Sequence, residues 1–491
     1  MPKSETSLEQ LLYDVKRIAK SREKLSEKKI TAIYQNLMDN LSKFLSKQYI
    51  KYADDDGRLF ISYLDAQRSR AKFLQEIAKN VDGLSVDLLK EMESLIDDTY
   101  KECYKGMKNA ILKADETGNL EAVTEDIVAN PNVIRQSVKN NISKLTLTPM
   151  MEKYRNEITY KIQQELTTGL MQGDRYDQMA KRIAQQINVS ETRAKLIART
   201  ETHRNIETGF MDCAEHLQDG LDGSGYIYAA TWRTMKDERV RPNKRVKTKH
   251  GWKIVKGKGA NHVKMDGVTI KAGEQFDLGD GVTTKCPGQS GVAAHDCNCR
   301  CFLKYDLLTP KEFYEKTGRN VSLSKAQEEA VKDYTGIYGK SVNSYMNGKK
   351  SNITEKEERI IETLHNTLNQ TIVTKDSVLY RGGGLSVFGK DKRTILNDPQ
   401  KAVGRILTNN GFMSTSKTLQ AAKSFSNPDY DKLILYVMDV PKGTKGLDIG
   451  ELSILGYESE VLLQDHTRFK ITKVVEKDDR IVFSCKVLEN D

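Results

Sequence analysis

The sequence predicts a multidomain protein with a largely α-helical N-terminal region, a small α+β middle domain and a C-terminal α+β domain. Length is the first reason, because a chain of 491 residues usually divides into about three domains. Periodicity is the second, since apolar residues recur at helical spacing early in the chain and in short strand-like runs near its end. We place the domains at residues 1–190, 191–308 and 324–491, with a linker at 309–323.

Helical periodicity extends from Ser7 to about Ile187, where prolines are scarce. Apolar residues spaced by three or four positions form two early runs: Leu8, Leu11, Leu12, Val15 and Ile18, then Ile30, Ile33, Leu37, Leu41 and Phe44. Breaks are predicted at Ala53–Gly57, at Asn130–Asn132 and near Pro149. We therefore expect an elongated region of long helices that serves packing or docking rather than chemistry.

The middle region, from Arg193 to about Tyr305, is rich in glycine, lysine and β-prone segments. Segments such as GSGYIYAATWRT and HVKMDGVTIKAGEQF predict a compact domain of short strands and loops. The stretch 233–271 is strongly basic, with Trp232 just before it and Trp252 within it. Contact with DNA, a solvated loop and a dock for an acidic protein are all compatible with this stretch.

The C-terminal region follows a polar segment, Thr309–Leu323, that we interpret as a linker. Helical patterns at Lys325–Met346 and Glu355–Leu368 precede a strand-rich half. Its predicted strands are SVLYRG, GFMSTS, KLILYVMDV, SEVLL, RFKITKVV and RIVFSCKV. We find neither GxGxxG after a strand nor GxxxxGK(S/T), which argues against hydride transfer and P-loop chemistry.

The composition favours acidic partners and gives no sign of a membrane segment. Lysine and arginine exceed the acids to give a net charge of +10, which suits nucleic acid, nucleotides or an anionic protein surface. The N-terminus, MPKSETSLEQ, lacks an apolar signal segment, and we find no apolar stretch long enough to span a bilayer. We expect a soluble protein made in a cytoplasm.

Three short motifs lie at the ends of predicted C-terminal strands: Arg381 in SVLYRG, Ser414–Ser416 in GFMSTS, and Glu458 with Glu460 in SEVLL. In this order they resemble the Arg, Ser-Thr-Ser, Glu-x-Glu class of bacterial toxin mono-ADP-ribosyltransferases, over roughly Ser324–Asp491. The segments AVKDYTGIYGKSVNSYMN and LYVMDVPKGTKGLDI are similar to parts of the same family. The resemblance implies an α+β fold with a mixed, mainly antiparallel β core, and NAD+ as co-substrate.

The resemblance also implies roles for individual side chains. Glu460, when ionised, would stabilise the oxocarbenium-like centre that forms as the bond between nicotinamide and ribose breaks. The planar guanidinium of Arg381 would donate hydrogen bonds to the phosphates or ribose of NAD+. Ser414 would hold Glu460 in position. The other residues implied to bind NAD+ are Gly382, Thr415, Ser416 and Phe425, and the Phe425 ring could stack on nicotinamide.

The resemblance links Glu458 to the choice of the side chain that accepts the ADP-ribosyl group. On a strand it would share a face with Glu460, and adjacent like charges are favourable only beside cationic partners. In the family resembled, a glutamate at this first position is typical of enzymes that modify arginine, whose guanidinium can sit against the carboxylate. The loop Ile449–Tyr457 corresponds to the family's substrate-recognition turn, with Tyr457 as a contact.

Three further motifs lie in the middle region: W-x-T-x-x-D-x-R-V-R from Trp232, H-x-x-M-D-G from His262, and NCRC from Asn298. They resemble the signature of tailed-phage minor head proteins, the portal-associated head-morphogenesis family, over roughly Met151–Leu308. This resemblance implies portal and capsid proteins as partners and a place in the virion head near the portal. The basic insertion 242–259 is longer than the family pattern.

The sequence has seven cysteines, of which four lie close together and raise the question of a metal site. The candidate ligands are His262, Cys286, His295, Cys297, Cys299 and Cys301. On a regular strand the last three cysteines would stand in steps of about 7 Å, too far apart to chelate one ion unless the chain turns. A structural zinc and buried thiols in a reducing cytoplasm both stay open.

Together the two resemblances predict a phage minor head protein that carries an NAD+-dependent protein-arginine mono-ADP-ribosyltransferase. Its substrate would be a host protein with an acceptor arginine, modified in the host cytoplasm after synthesis or delivery there, or a capsid protein. Two alternatives stay open. One is an NAD glycohydrolase, in which water takes the ribosyl group, and the other is a purely structural head component.

Overall fold

The computed structural model describes residues 8–64, 67–114, 147–221, 224–249, 251–256, 259–426, 432–450, 452–453, 459–477 and 479–488. The chain divides into two compact units. The first contains the described residues of Met1–Leu217, Thr231–Val268 and Gln275–Tyr305, and the second those of Gln218–Ala230, Thr269–Glu274 and Asp306–Asp491.

Long helices dominate the N-terminal region, as predicted. They are α1 (Leu8–Tyr52), α2 (Gln67–Ala114), α3 (Leu147–Gln172) and α4 (Tyr176–Gly220). A 3-10 turn, Ile61–Leu64, lies between the first two. Buried residues of α1 follow the predicted spacing, with Ile30, Leu37 and Leu41 in one shared core. The break predicted at Ala53–Gly57 is confirmed, whereas that at Asn130–Asn132 lies outside the described residues.

Helix α4 differs from the sequence-based expectation. The sequence predicts strands and loops from Arg193, but the helix continues to Gly220. The physical reason is that Ile206, Phe210 and Leu217 continue a helical spacing of apolar side chains, and all three are buried. The segment 197–210, IARTETHRNIETGF, is therefore helical.

Short strands follow α4. They are β1 (Ile227–Arg233), β2 (Asn243–Thr248), β3 (Gly251–Lys256), β4 (Thr269–Lys271), β5 (Phe276–Gly279), β6 (Val282–Thr284) and β7 (Phe302–Leu308). They form a sheet in the order β4-β1-β7 and two separate hairpins, β2-β3 and β5-β6. Helical turns at Val263–Met265 and at α5 (Ala293–Asp296) complete the α+β middle region.

The remaining chain alternates helices and strands. The helices are α6 (Pro310–Thr317), α7 (Lys325–Asp333), α8 (Gly339–Met346), α9 (Glu355–Asn369), α10 (Lys392–Asn397) and α11 (Leu419–Ser424). The strands are β8 (Ser377–Gly383), β9 (Ile406–Asn409), β10 (Met413–Ser416), β11 (Leu433–Val440), β12 (Gly446–Asp448), β13 (Glu460–Leu463), β14 (Thr467–Lys477) and β15 (Arg480–Val487). Turns of π and 3-10 type are Tyr334–Tyr338, Ser386–Asp391 and Pro399–Ala402.

These strands form one eight-stranded sheet in the order β12-β13-β10-β8-β11-β15-β14-β9. Strands β11 and β15 run parallel, and the other neighbours are antiparallel. The predicted mixed, mainly antiparallel sheet is therefore confirmed. Strand β8 lies between β10 and β11. Arg381 of β8 and Ser414 of β10 therefore lie on neighbouring strands near the middle of the sheet.

Strand β13 shows how the sheet separates two cores. Val461 and Leu463 pack with the apolar side chains of the central strands, whereas Leu462 packs with Val331, Leu364 and other helical residues. Alternate residues of a strand point to opposite faces, so Glu460 lies on the same face as Leu462.

The segment Thr309–Leu323, predicted as a linker, contains helix α6. Thr309 caps this helix, because its hydroxyl accepts a bond from the Glu312 amide at 3.3 Å while Glu312 accepts one from the Thr309 amide at 2.8 Å. Phe313 is fully buried. No helix in the described part of the chain is long and apolar enough to cross a membrane.

Candidate active site

Arg381 lies on β8, directly opposite Tyr436 of β11. The residue as a whole is half-buried, and its Nη1 donates a hydrogen bond to the carbonyl of Ser414 at 3.0 Å. Burial lowers the pKa of Arg381, and the neighbouring Tyr334, Tyr436 and Glu460 oppose that shift. An arginine starts from a pKa above about 12 and so remains a cation at neutral pH. The remaining guanidinium N–H groups can meet an anionic ligand.

The Ser-Thr-Ser motif forms β10, as predicted. Thr415 is buried, and its hydroxyl donates to the carbonyl of Val461 at 2.6 Å, which fastens β10 to β13. Ser416 accepts a hydrogen bond from the Thr418 amide at 3.0 Å and so forms the turn that ends the strand. Ser414 lies on the sheet face opposite to that of Thr415. Its hydroxyl is 3.5 Å from that of Tyr334.

Glu460 begins β13 and stands opposite Ser416 in the ladder. Its residue is only 7% exposed. The preceding residue, Ser459, has a φ of 47°, in the left-handed region, and its carbonyl accepts a bond from the Lys417 amide at 3.1 Å. This turn directs the chain into the strand with the Glu460 carboxylate close enough to Arg381 to influence its pKa. Glu458 and Tyr457 lie outside the described residues.

Tyr334 and Asn343 belong to the same site but were not singled out from the sequence. The Tyr334 hydroxyl accepts a hydrogen bond from Asn343 Nδ2 at 2.7 Å, and its ring packs edge-on against Phe412. Burial raises the pKa of Tyr334, so its hydroxyl stays protonated. The signal available was the segment AVKDYTGIYGKSVNSYMN, which contains both residues but does not reveal that Tyr334 meets Ser414.

These side chains surround one cavity of about 560 Å3. Its lining includes Tyr334, Asn343, Arg381, Gly382, Ser414, Thr415, Ser416, Phe425 and Glu460. The volume falls within the range of about 300–1,000 Å3 that is usual for small-molecule and cofactor pockets. Phe425 is 53% exposed, so its ring can still meet a ligand. The structure thus brings together in one cavity all the predicted NAD+ residues that it describes.

Two family models match the chain. Residues 311–489 match the model described as ADP-ribosyltransferase exoenzyme, and residues 160–304 match that described as phage Mu protein F like protein. The chain joins a phage Mu F-like segment to an ADP-ribosyltransferase. Both resemblances predicted from the sequence are confirmed, and NAD+ is the co-substrate of the C-terminal enzyme.

Relatives of both kinds are found among known proteins. Minor head protein GP7 of Bacillus phage SPP1 is 27% identical over 280 residues, which cover 57% of this chain and 82% of that protein. The NAD(+)--arginine ADP-ribosyltransferase EFV of Enterococcus faecalis is 23% identical, over 86% of this chain and 94% of that protein. Among solved structures, the ADP-ribosyltransferase toxin Plx2a of Paenibacillus larvae is 21% identical, with a TM-score of 0.30 over 34% of this chain and 88% of that one.

Only some of the predicted metal ligands lie together among the described residues. The side chains of His262, Cys299 and Cys301 are buried, and their ligand atoms lie within 4.8 Å of one another. Cys286 is not part of this group, because its thiol contacts Gln289 Oε1 at 3.4 Å, and burial raises its pKa. Cys297 also lies apart and is half-buried. Among the described residues, the group of three is the one that could hold a metal.

The basic stretch 233–271 contains the β2-β3 hairpin, in which Lys247 pairs with Trp252. Among its described basic side chains, Lys236 lies 3.9 Å from Asp266, and Arg239 lies 3.5 Å from Asp237. Contact of this stretch with DNA stays a prediction.

Proposed function

We propose that this protein is a phage minor head protein whose C-terminal segment transfers ADP-ribose from NAD+ to arginine side chains of proteins. The observation that carries the proposal is the convergence of Arg381, Ser414 and Glu460 on one cavity, on three neighbouring strands of the sheet. Packing alone gives no reason for a cation, a hydroxyl and a buried carboxylate to line the same cavity.

The role proposed for each side chain follows from its position at the cavity. Arg381 lines the cavity and would hold the negatively charged phosphates of NAD+ with guanidinium N–H groups that do not bond Ser414. Glu460, on the other side of β10, would face the ribose and stabilise the positive charge that develops as nicotinamide leaves. Thr415 makes no such contact in this scheme, because its hydroxyl is committed to Val461 and fixes the strand.

Arginine is proposed as the acceptor because position 458 is a glutamate. A guanidinium nitrogen of the substrate would attack the ribose carbon from which nicotinamide leaves, and Glu458 would take the proton that this nitrogen loses. The relative from Enterococcus faecalis, whose name states arginine as acceptor, supports this assignment. Water would replace the guanidinium in an NAD glycohydrolase.

Replacing Glu458 by glutamine tests the acceptor. In the full chain, supplied with labelled NAD+ and agmatine, we expect Glu458→Gln to lower label transfer about 100-fold or more, because a general base is lost. Nicotinamide release should persist, since Glu460 is intact. Glu362→Gln, at an exposed position on α9, is the matched control and should change neither rate.

The outcomes separate the hypotheses. Transfer that survives Glu458→Gln would refute the role of this residue. Nicotinamide release without transfer by the unaltered chain, across several guanidine and protein acceptors, would favour the glycohydrolase. A folded chain that releases no nicotinamide would favour the structural alternative.

The partners proposed are portal and capsid proteins for the minor head segment and a host protein for the enzyme. The place proposed is the virion head near the portal, with entry into the host cytoplasm during infection. Immunodetection in purified particles before and after DNA ejection tests this. We expect the chain in filled heads and its loss from emptied ones, and retention in emptied heads would contradict delivery.

A further inference from the structure

A cluster of three buried side chains lies in the first unit, and we call it the Cys299 cluster: His262, Cys299 and Cys301. His262 Nδ1 is 3.6 Å from Cys299 Sγ and 3.4 Å from Cys301 Sγ. His262 is 2% exposed, and the two cysteines are 5% and 4% exposed. One imidazole nitrogen thus faces two thiols in a closed space.

These separations match the edges of a zinc tetrahedron. Zinc binds sulfur at about 2.3 Å and histidine nitrogen at about 2.0–2.1 Å, so tetrahedral S and N ligands lie about 3.6 Å apart. Both measured distances from His262 Nδ1 are close to this value. The side chains need only small adjustments to accept an ion.

A turn in the chain makes the cluster possible. Asn298 has a φ of 56°, in the left-handed region, and the Cys299 amide bonds to the carbonyl of Asp296 at 3.1 Å. The C-x-C-x-C sequence is therefore not a regular strand here, and β7 begins only at Phe302. The turn removes the spacing of about 7 Å that an extended chain would impose.

The surroundings hold His262 in the orientation that a ligand needs. Its other ring nitrogen, Nε2, lies 3.1 Å from His295 Nδ1, which leaves Nδ1 directed at the thiols. The ring also packs edge-on against the fully buried Trp232, at 5.5 Å between centroids. A second hydrogen bond that fixes the ring is the usual arrangement for a histidine that binds metal.

His203 of α4 is the candidate for a fourth donor, because it lines the same cavity as Cys299, although it lies outside the group whose ligand atoms fall within 4.8 Å of one another. Its Nε2 is buried and has no hydrogen-bond partner among the described residues. A buried nitrogen without a partner costs free energy, and a metal bond would remove that cost.

We propose that His262, Cys299 and Cys301 bind a structural Zn2+ ion in the phage Mu F-like segment, with His203 moving towards the ion as the fourth ligand. Two thiolates and two imidazoles are a common tetrahedral ligand set for zinc, and four protein ligands leave no open position for a substrate. The ion would tie α4 to the turn before β7 and to the segment that contains His262. Binding releases the two thiol protons to solvent, so it strengthens as pH rises.

Metal analysis of the full chain tests the site. Protein purified without chelators should contain about one zinc per chain by mass spectrometry of the metal. After zinc removal, Co2+ should restore the site and give the absorption of a tetrahedral thiolate complex, a readout that needs no variant. Each of Cys299→Ser and Cys301→Ser should reduce bound zinc to below about one tenth per chain.

Cys297→Ser is the matched control, because Cys297 lies in the same C-x-C-x-C sequence but outside the cluster. It should keep its zinc. The proposal is overturned if the unaltered chain neither contains zinc nor binds added Zn2+ or Co2+. It is equally overturned if both Cys299→Ser and Cys301→Ser retain zinc, or if Cys297→Ser loses it.

Discussion

Glu460→Gln should abolish both nicotinamide release and transfer to arginine, with a loss of about 1,000-fold or more in kcat. The substitution keeps the size and shape of the side chain and removes its negative charge. A neutral amide cannot stabilise the positive charge that develops on the ribose as nicotinamide departs. The position is buried, so little solvent can replace the lost interaction.

The test compares three forms of the full chain: unaltered, Glu460→Gln and Glu362→Gln. Nicotinamide release is followed with saturating NAD+, and NAD+ affinity is measured by calorimetry. We expect the affinity of Glu460→Gln to change far less than its rate, because a group that acts on developing charge contributes mainly to the transition state. If a folded Glu460→Gln protein kept more than about a tenth of the unaltered rate, the role of Glu460 would be refuted.

Comparing Glu460→Gln with Glu458→Gln distinguishes the roles of the two carboxylates. Loss of release and transfer together identifies the residue that assists bond breaking, whereas loss of transfer alone identifies the residue that serves the acceptor. Both effects depend on charge and not on packing, since each substitution is close to isosteric. The pair of variants therefore tests the proposed division of roles within the Glu-x-Glu motif.

Local patterns in the sequence predicted most of the C-terminal elements. The alternation in SEVLL predicted β13, and the apolar runs of KLILYVMDV and RIVFSCKV predicted β11 and β15. The order of strands could not be read in this way, because the parallel pairing of β11 with β15 joins segments that no local pattern relates. The position of β8 between β10 and β11 came only from the structure.

Long-range contacts explain what the sequence left undetermined at both sites. Tyr334 lies 80 positions before Ser414, and nothing in its neighbourhood signals that their hydroxyls are 3.5 Å apart. His262 meets Cys301 across 39 positions, and the meeting depends on the left-handed conformation of Asn298. Asparagine tolerates that conformation better than most residues, but its presence does not predict it. The length of α4 was underestimated for a local reason. The β-prone segments that follow the helix obscured the helical pattern that continues beyond Arg193.

Of two neighbouring glycines in β8, Gly382 should respond strongly to substitution by alanine and Gly383 should hardly respond. A Cβ on Gly382 would lie 1.9 Å from the carbonyl oxygen of Ala422 and 2.7 Å from the amide nitrogen of Ser426. Both are backbone atoms and cannot move aside as a flexible side chain could. A Cβ on Gly383 would meet only the Tyr436 ring, at an ordinary 3.7 Å.

The turn that faces Gly382 is held in place from its other side. Ser426 accepts a hydrogen bond from the Ile434 amide at 2.8 Å and donates to the Ile434 carbonyl at 3.2 Å. Relief of the clash must therefore break these bonds to β11 or displace β8 itself. Either movement shifts Phe425 or Arg381 at the cavity wall.

We expect Gly382→Ala to lower the free energy of unfolding of the C-terminal segment by about 1–3 kcal/mol, as overpacking in a tight site does. Nicotinamide release should fall about 100-fold, because a displacement near 1 Å of a group that positions the substrate has effects of that size. Gly383→Ala should leave both quantities nearly unchanged, with a stability change within about 1 kcal/mol. Denaturant unfolding and NAD+ turnover of the two variants, measured side by side in the full chain, check this contrast. Equal effects of the two substitutions would show that the close approach of Ala422 to β8 does not shape the cavity.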